Sequence, residues 1–326
     1  MKKEILKRLK EAEGYVSGQE LCDSLGVSRT AVWKAVRLLE EEGYRIQAVR
    51  NKGYRLSTDS DVLSVDELSQ EICGSWAGKH LVVLKTVDST NLEARRQAED
   101  GAPHGTLVLA ENQTAGKGRR GRFWESPEGT GIWMSLLLRP DFEPVHASML
   151  TLLAAMAVVK GIRQATGLSC QIKWPNDIVL NGKKICGILT EMSTEEDCIR
   201  YVVVGIGINA NLEGFPEELK EKGTSLLLES GKPVRRAKLA AAVLSVWEDY
   251  YEEFLKTLDF SSLMEEYNEH LVNRDRQVTV LAPGGAWQGI SMGINREGEL
   301  LVRRTDGTVE AVMSGEVSVR GVYGYV

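Results

Sequence analysis

Residues 116–124 have the sequence GKGRRGRFW, in which Lys117, Arg119, Arg120 and Arg122 are interspersed with three glycines. Glycine lets a backbone adopt positive φ angles and approach a ligand closely, and guanidinium groups bind phosphate or carboxylate through two parallel hydrogen bonds. The segment therefore predicts a flexible lid over a small anion. A solvated basic loop that contacts nucleic acid is the alternative that the segment alone leaves open.

The same letters satisfy GxGxxG, but they do not predict a dinucleotide site. That fingerprint needs a strand before it and a helix after it. A strand is expected at residues 106–111, yet the following RFWESPEGTG cannot open a helix, and the acidic residue expected about 20 positions later is missing. A Walker loop is excluded too, because no glycine stands at the required distance before a Gly-Lys-Ser/Thr.

Length and composition indicate two or three packed domains. The chain has 326 residues, 43% of them apolar, and no apolar run approaches the length of a membrane span. The first residues, MKKEILKRLKEAEG, lack the apolar core of a signal peptide, so we expect a cytoplasmic protein without membrane association. The five cysteines are scattered and the four histidines lack ligand spacing, which favours free thiols and no structural metal.

Charge is divided unevenly along the chain. Residues 1–60 carry 12 Lys/Arg and 9 Asp/Glu, a net charge of +3. Since the net charge of the whole chain is −6, the remaining residues carry a net charge of −9. A basic N-terminal segment on an acidic body indicates that only the first part meets a polyanion.

The first 60 residues predict a winged helix-turn-helix. Helices are expected at residues 1–13, 18–25 and 29–42, with Ser17 and Ser28 as N-caps and Gly26 at the turn. A hairpin follows around Asn51-Lys52-Gly53. The third helix would read base edges in a major groove and the hairpin would contact phosphates, so binding should depend on salt. The predicted DNA-binding residues are Ser28, Arg29, Thr30, Trp33, Lys34, Arg37, Arg50 and Lys52.

A multidomain α+β chain is expected beyond this segment. A polar linker at residues 57–61 precedes strands predicted at 81–87, 106–111, 131–138, 169–173, 177–180, 184–192 and 200–208. Helices are predicted at 91–100, 145–166, 237–256 and 260–269, which together indicate a mixed sheet flanked by helices. From residue 273 short strands separated by glycine turns predict a small SH3-like β barrel. The predicted domains are 1–60, 61–272 and 273–326.

Four further segments of the central region carry polar groups at strand ends. These are Asp88-Ser89-Thr90-Asn91, where an N-cap is the simpler interpretation, Gln113, the KWPND stretch at 173–177, and the GIGIN stretch at 205–209, whose glycines would let another group approach the strand closely. Lys184 borders an apolar strand, where a lysine is costly to desolvate without an anion beside it.

Together these segments resemble the biotin protein ligases, and specifically the bifunctional kind that also represses the biotin operon. The resemblance covers the whole chain through the winged helix, DSTN, GKGRRGRFW, KWPNDI, GKKICGIL, GIGIN and the C-terminal barrel. It implies a central domain of class II synthetase-like fold. Lys117 stands where the family usually has arginine, which keeps the charge and loses bidentate geometry.

The resemblance implies that biotin and ATP form biotinoyl-5′-AMP, and that the acyl group then passes to a lysine of a biotin carboxyl carrier domain. It assigns Lys184, Arg119 and Arg122 to catalysis by charge neutralisation, with Mg²⁺ near Asp177 accompanying ATP. The implied biotin-binding residues are Ser89, Thr90, Asn91, Gln113, Lys117, Gly118, Arg119 and Lys184. The implied ATP-binding residues are Arg119, Arg122, Trp124, Asn176, Asp177 and Asn209.

The resemblance also supports a hypothesis about regulation. Ordering of the loop by the intermediate would favour a homodimer whose paired winged helices bind a palindromic operator. Three alternatives remain: a transcription factor with an inactive biotin-sensing domain, a lipoate or other acyl ligase, and a nucleic acid ligase. The nucleic acid ligase is disfavoured, because this sequence contains no KxDG motif.

Overall fold

A computed structural model describes residues 1–57, 61–282, 285–313 and 318–321 of the chain. The chain divides into two compact units, Met1–Gln70 and Glu71–Val326. The three predicted domain ranges stay a prediction. Residues 58–60 of the predicted linker lie outside the described residues. So do residues 283–284 and 314–317, where two of the glycine turns and the start of the last C-terminal strand are predicted.

The N-terminal unit contains the predicted helix-turn-helix and wing. Its elements are α1 (Lys2–Glu11), α2 (Gly18–Leu25), α3 (Arg29–Glu41), β1 (Ile46–Val49) and β2 (Gly53–Leu56), followed by α4 (Val65–Glu71). Ser17 Oγ accepts a hydrogen bond from the Glu20 amide, and Ser28 Oγ accepts one from the Ala31 amide. Gly26 ends α2 at φ 65°, a left-handed conformation that glycine adopts without a Cβ penalty. These local signals confirm the helix-turn-helix.

Apolar residues at helical spacing form the core of this unit. Leu9 of α1, Leu21 of α2 and Leu39 of α3 are all buried, and partly buried Tyr54 of the wing packs against them. β1 and β2 pair antiparallel around the Asn51–Gly53 turn, where Asn51 and Gly53 both have positive φ. The amphipathic pattern therefore leaves the opposite, basic face of α3 in solvent.

The second unit is built on a seven-stranded mixed sheet in the order β3-β4-β5-β9-β8-β7-β6. Only β3 and β4 pair parallel, and the other pairs are antiparallel. Its strands are β3 (Leu81–Val87), β4 (Thr106–Gln113), β5 (Ile132–Leu138), β6 (Gln171–Lys173), β7 (Asp177–Leu180), β8 (Lys183–Glu195) and β9 (Cys198–Ile208). The helices are α5 (Thr90–Glu99), α6 (Met149–Thr166), α7 (Leu226–Ser230), α8 (Arg236–Phe254) and α9 (Met264–His270). The predicted mixed sheet with flanking helices is confirmed.

The sequence missed two short helices and extended others. Helices α4 and α7 have only seven and five residues, too short for a helical period to stand out. The stretch predicted as helix from residue 145 begins with a 3₁₀ turn, Pro144–Ser148, before α6. Residues 260–263 likewise precede α9 instead of belonging to it.

Helix α6 is long and strongly apolar. The stretch Pro144–Thr166 is long and apolar enough to cross a membrane, with a mean hydropathy of 1.7, but 72% of its apolar window is buried within the protein. Residues around its whole circumference, including Leu153, Ala157 and Ile162, are fully buried. A helix that is apolar all round and enclosed by protein is a core helix.

A buried ion pair ties α8 to the sheet below the basic loop. Arg236 is 1% exposed and donates two hydrogen bonds to the Glu111 carboxylate, at 2.6 and 3.1 Å. The same carboxylate accepts a hydrogen bond from the Gly129 amide at 3.2 Å. The chain that leaves the loop is thus held to the end of β4.

The C-terminal segment forms a five-stranded antiparallel sheet, which confirms the predicted small β domain. Its order is β13-β12-β11-β10-β14, with β10 (Gln277–Ala282), β11 (Gly285–Ile294), β12 (Leu300–Arg303), β13 (Val309–Val312) and β14 (Ser318–Gly321). Asn268 of α9 bonds the backbone of Ile294 in both directions, at 2.7 and 3.3 Å. Trp174 Nε1 donates to the Gly298 carbonyl at 3.2 Å. The small sheet is therefore hydrogen-bonded to the central region.

Candidate functional site

A small cleft opens where α5 begins and β4, β5, β8 and β9 run side by side. Ten of the residues predicted to bind substrates line it: Ser89, Thr90, Asn91, Gln113, Lys117, Gly118, Arg119, Trp124, Asn176 and Lys184. Eight further lining residues were not predicted individually: Trp133, Met134, Gly187, Ile188, Leu189, Gly205, Ile206 and Gly207. They are apolar or glycine, so no chemical signal distinguished them from ordinary strand residues.

The start of α5 places three polar side chains at one end of the cleft. Ser89 stands at the N-cap position, but its side chain makes no capping hydrogen bond, so the simpler capping interpretation does not describe it. Asp88 Oδ1 accepts a hydrogen bond from the amide of Ser89, the N-cap residue itself, at 2.7 Å. Hydrogen bonds from Arg96 to Asp88 lower the pKa of this carboxyl to about 2. Ser89, Thr90 and Asn91 are each more than nine-tenths buried.

Gln113 connects this end of the cleft to the segment that follows the basic loop. Its Oε1 accepts from the Thr90 amide at 2.8 Å, and its Nε2 donates to Ser126 Oγ at 2.7 Å. Ser126 Oγ in turn donates to the Trp124 carbonyl at 3.1 Å. The polar groups are therefore held rigidly before any ligand arrives.

The basic loop is a short hairpin over the cleft. Gly116 O accepts from the Trp124 amide at 2.9 Å, and the Gly118 amide donates to Arg122 O at 2.7 Å. Arg120 adopts φ 59° within the turn between them. The glycines and the positive φ of Arg120 thus allow the tight turn that the glycine-rich composition of the loop predicted.

Only some of the loop's cations face the cleft. Lys117 and Arg119 line it, whereas Arg120 and Arg122 are exposed outside the lining. Arg119 Nη1 donates to Asn176 Oδ1 at 2.9 Å, and burial lowers the pKa of its guanidinium. Arg119 is consequently poorly solvated, which strengthens its attraction for an anion in the cleft.

Lys184 has the anionic neighbour that its position on an apolar strand led us to expect. Its Nζ lies 2.6 Å from Asp177 Oδ1, and both side chains are mostly buried. The same Nζ lies 4.9 Å from the centre of the Trp124 ring, which places the ammonium in a cation–π contact. Asp177 itself does not line the cleft.

Trp124 and Asn91 rest on glycines of the central strands. A Cβ at Gly207 would lie 2.7 Å from Trp124 Nε1, and a Cβ at Gly205 would lie 2.1 Å from Asn91 Oδ1. The close approach that the GIGIN stretch suggested is therefore made by the protein's own side chains. Any larger residue at either glycine would displace them into the cleft.

Asn209 lies apart from the cleft. It is 6% exposed, and its Nδ2 donates to the Thr224 carbonyl at 3.1 Å while its backbone accepts from Leu226. These bonds hold the segment after β9 against the start of α7. The roles predicted for Asn209 and for the exposed Arg122 stay predictions.

The predicted DNA-binding residues form one exposed surface on the N-terminal unit. Arg29, Thr30, Trp33, Lys34 and Arg37 are exposed along α3, as are Arg50 and Lys52 on the wing, while Ser28 caps the helix. Trp33 is 51% exposed, and the Arg37 guanidinium lies 5.5 Å from its ring centre. The indole ring of Trp33 is therefore accessible beside the basic side chains of α3.

All five cysteines are free thiols, and Cys170 and Cys186 are buried. Burial raises the pKa of the Cys170 thiol to about 12, which keeps it protonated and unreactive. Within the described parts of the chain, no three His, Cys, Asp or Glu residues are grouped to hold a metal ion.

Three family models match this chain. The biotin/lipoate A/B protein ligase family matches residues 83–209, a helix-turn-helix domain matches 2–55, and the biotin protein ligase C-terminal domain matches 275–320. The residues that line the cleft fall within the first matched range, and the basic helix α3 falls within the second.

Relatives match over nearly the full length. The bifunctional ligase/repressor BirA of Bacillus subtilis is 41% identical, with 98% of both chains covered, and that of Escherichia coli is 31% identical, with 94% and 93% covered. Among solved structures, a biotin protein ligase from Aquifex aeolicus in complex with biotin and ATP has a TM-score of 0.66 at 32% identity. That match covers 74% of this chain and 99% of the Aquifex chain.

Proposed function

Because this chain belongs to the biotin protein ligases, among the bifunctional ligase/repressors, we propose that it attaches biotin to a carrier protein and represses transcription. The first reaction joins biotin and ATP into biotinoyl-5′-AMP with release of pyrophosphate. The second transfers the acyl group to the ε-amino group of a lysine on a biotin carboxyl carrier domain and releases AMP.

The division of the cleft into a neutral and a cationic end carries this proposal. Ser89, Thr90 and Gln113 offer uncharged hydrogen-bonding groups at one end, and Arg119 and Lys184 bring positive charge to the other. Biotin has the matching layout, with a neutral cyclic urea at one end and a carboxylate at the end of its valeryl chain. The apolar floor of Met134 and Ile206 suits the carbon skeleton between them.

Adenylation requires an anion to attack an anion. The biotin carboxylate oxygen forms a bond to the α-phosphorus while the bond to the pyrophosphate oxygen breaks. Lys184 and Arg119 lower the repulsion between the two groups and stabilise the charge that develops on the α-phosphate. Asp177 holds the Lys184 ammonium at 2.6 Å and so fixes its direction. Arg122 and Asn209 are assigned to ATP by family resemblance.

In the transfer step the carrier lysine attacks the acyl carbonyl, and AMP leaves as a stable phosphate monoester. The acceptor nucleophile belongs to the partner, so this chain needs no covalent intermediate. The loop at 116–124 retains the mixed anhydride and keeps water from it. Trp124, which lies beside Lys184, is the candidate to cover the adenine ring.

Mg²⁺ would enter with the phosphates of ATP and offset the charge of the departing pyrophosphate. Asp177 is the carboxylate beside the cationic end of the cleft, and Mg²⁺ commonly uses one or two carboxylates together with substrate phosphates. Asn176 supplies a neighbouring amide oxygen, which Arg119 contacts at 2.9 Å.

The N-terminal unit supports a second activity, binding to operator DNA. The exposed faces of α3 and the wing carry the cations that phosphates require, and the wing cations Arg50 and Lys52 share a groove with Arg29. Trp33 offers an apolar surface for base contacts such as a thymine methyl group. We place the protein in the cytoplasm, where carrier protein and DNA are both present.

One experiment examines both activities. Purified protein is incubated with biotin, ATP, Mg²⁺ and a carrier domain, with and without operator DNA, and labelling of the carrier is measured. We expect labelling that requires ATP, together with an operator complex. Absence of labelling would leave only the inactive sensor, and preferential labelling from lipoate in a competition assay would indicate a lipoate ligase.

A further inference from the structure

A buried ion pair holds together the two ends of the chain segment that carries the basic loop. This segment, residues 114–131, leaves β4 and returns to β5. Glu111 on β4 accepts two hydrogen bonds from the Arg236 guanidinium, and its carboxylate accepts a third from the Gly129 amide at 3.2 Å. Arg236 Nη1 also donates to the Gly131 carbonyl at 3.2 Å. The clamp formed by Glu111 and Arg236 therefore joins the departing strand to the returning chain.

The clamp continues a row of bonds that begins at the cleft. The Gln113 amide donates to the Ser126 carbonyl at 3.2 Å, and Gln113 Nε2 donates to Ser126 Oγ at 2.7 Å. The bond between Glu111 and Gly129 is the next tie along the same two chains, farther from the basic loop. Because Arg236 belongs to α8, this row of bonds is anchored to a core helix.

Two tryptophans connect the returning chain to the cleft. Trp133 Nε1 donates to the Pro127 carbonyl at 3.4 Å, and a Cβ at Gly131 would collide with the Trp133 ring. The rings of Trp133 and Trp124 lie edge to face, with their centres 6.5 Å apart. Trp124 is the ring beside the Lys184 ammonium. A shift of the returning chain would therefore move the aromatic wall next to the cationic end of the cleft.

Stability alone does not account for an ion pair at this position. The side chain of Arg236 is 1% exposed and that of Glu111 is 16% exposed. Removing two charges from water is costly, and apolar side chains of similar volume are often at least as stabilising. A guanidinium, however, presents its donors in one rigid plane, so it fixes the positions of the groups that accept from it. The clamp is therefore suited to setting a geometry.

We propose that Arg236 is a positioning residue for the basic loop, which it holds over the cleft through Glu111 and the returning chain. The inference rests on the proposed function, because the ligand that the loop retains is the acyl adenylate made from biotin and ATP. Arg236 does not line the cleft, and it acts by keeping Trp124 beside Lys184. Without the clamp, ordering the loop would cost part of the binding energy of the ligand.

Limited digestion of the full-length protein with trypsin tests the proposal without any ligand. Trypsin cleaves after lysine and arginine, and the basic loop contains four such residues. In the double variant Glu111→Leu with Arg236→Met, apolar side chains replace the ion pair, so no buried charge is left unpaired. We expect cleavage within the loop to be at least about fivefold faster than in the wild type, at a similar melting temperature.

Controls separate opening of the loop from general loosening. Mass spectrometry identifies the fragments, and cleavage after Lys52, exposed in the wing turn of the other compact unit, corrects for protease activity. Arg139→Met removes an arginine that donates to three backbone carbonyls elsewhere, and it should not accelerate cleavage of the loop. Arg236→Lys keeps the charge and loses the planar fork, so it should give an intermediate rate, and it decides the test if the double variant does not fold.

A second measurement uses the ligand. Protein incubated with biotin, ATP and Mg²⁺ is separated from free substrates, and release of the activated intermediate is followed with time. In the double variant release should be roughly tenfold faster or more, whereas the single-turnover rate of adenylation should change less, because a change in closure acts mainly on dissociation.

The outcomes separate this inference from the proposed function. Unchanged cleavage of the loop in the double variant overturns the inference. Equal acceleration by Arg139→Met also overturns it, since Arg236 would then have only a general structural role. Faster cleavage with an unchanged rate of release overturns the link to the ligand. If the wild type forms no biotinoyl-5′-AMP, the proposed function fails, while digestion of the ligand-free protein still decides whether the clamp holds the loop.

Discussion

Lys184 illustrates how a single residue acquires a function from its surroundings. Ile185 and Cys186, which follow it on β8, are buried, and the ammonium lies between Asp177 and the Trp124 ring. A mostly buried ion pair is weak evidence for stability, because desolvation offsets much of the attraction. A functional requirement for a fixed positive charge explains its presence better.

We predict that Lys184→Met lowers the rate of adenylation by roughly 100- to 1000-fold, as loss of one oriented group that stabilises developing charge does in other enzymes. Pyrophosphate release in a single turnover measures this rate. Lys183→Met is the matched control, since the Lys183 ammonium bonds the Lys220 carbonyl outside the cleft and its loss should change the rate little. Equal effects of both variants would contradict the assignment.

Arg119 provides a second prediction at the residue scale. Its guanidinium bonds Asn176 across the cleft and so links the loop to the sheet. Arg119→Gly should loosen the lid, release the activated intermediate and label lysines on unrelated proteins. Mass spectrometry of a bystander protein detects this labelling. Arg120→Gly should not produce it, because Arg120 lies outside the cleft lining; if Arg119→Gly still labels only the carrier, the retaining role is wrong.

At the scale of elements, we predict that the wing and α3 contribute differently to DNA binding. The wing carries its cations at a turn, where they would reach phosphates, whereas α3 presents side chains along a face that would fit a major groove. Phosphate contacts change affinity for all sequences, and base contacts change preference among them.

Lys52→Ala should therefore weaken binding to operator and random duplexes alike and reduce the slope of log affinity against log salt by about 1. Fluorescence anisotropy over a salt series measures both quantities. Lys7→Ala is the control, because the Lys7 side chain is exposed on α1, and it should leave the slope unchanged. A loss confined to operator DNA would instead assign Lys52 to base contacts.

At the scale of the whole molecule, we hypothesise that assembly couples the ligase and repressor activities. A palindromic operator requires two recognition helices about 34 Å apart, which one winged helix cannot supply. We hypothesise that biotinoyl-5′-AMP orders the loop at 116–124 and that the ordered protein forms a homodimer.

Analytical ultracentrifugation with and without biotin plus ATP measures this coupling. We expect the dimer fraction to rise only when both substrates are present. Lys184→Met should stay monomeric under the same conditions because it forms little intermediate. An unchanged monomer fraction in the wild type would rule the hypothesis out.

Much of the fold could be predicted because its signals are local. The caps at Ser17 and Ser28, the left-handed Gly26 and the amphipathic period of α3 act within a few residues. Strand β3 has the bounds predicted for it, Leu81–Val87. Short helices such as α7 escaped prediction, since five residues span little more than one helical turn.

By itself, the sequence determined which chemistry was available: basic residues within a glycine loop, polar residues where strands end, and a basic helix after a capped turn. Only the tertiary structure decided which of those residues meet. It directed Arg119 inward and Arg122 outward, joined Lys184 to Asp177, and set Ser135 behind Thr90. The reason is physical, because residue types and periodicity determine local secondary structure. A contact between β5 and α5 depends instead on how distant segments pack and on which buried polar groups then need hydrogen-bond partners.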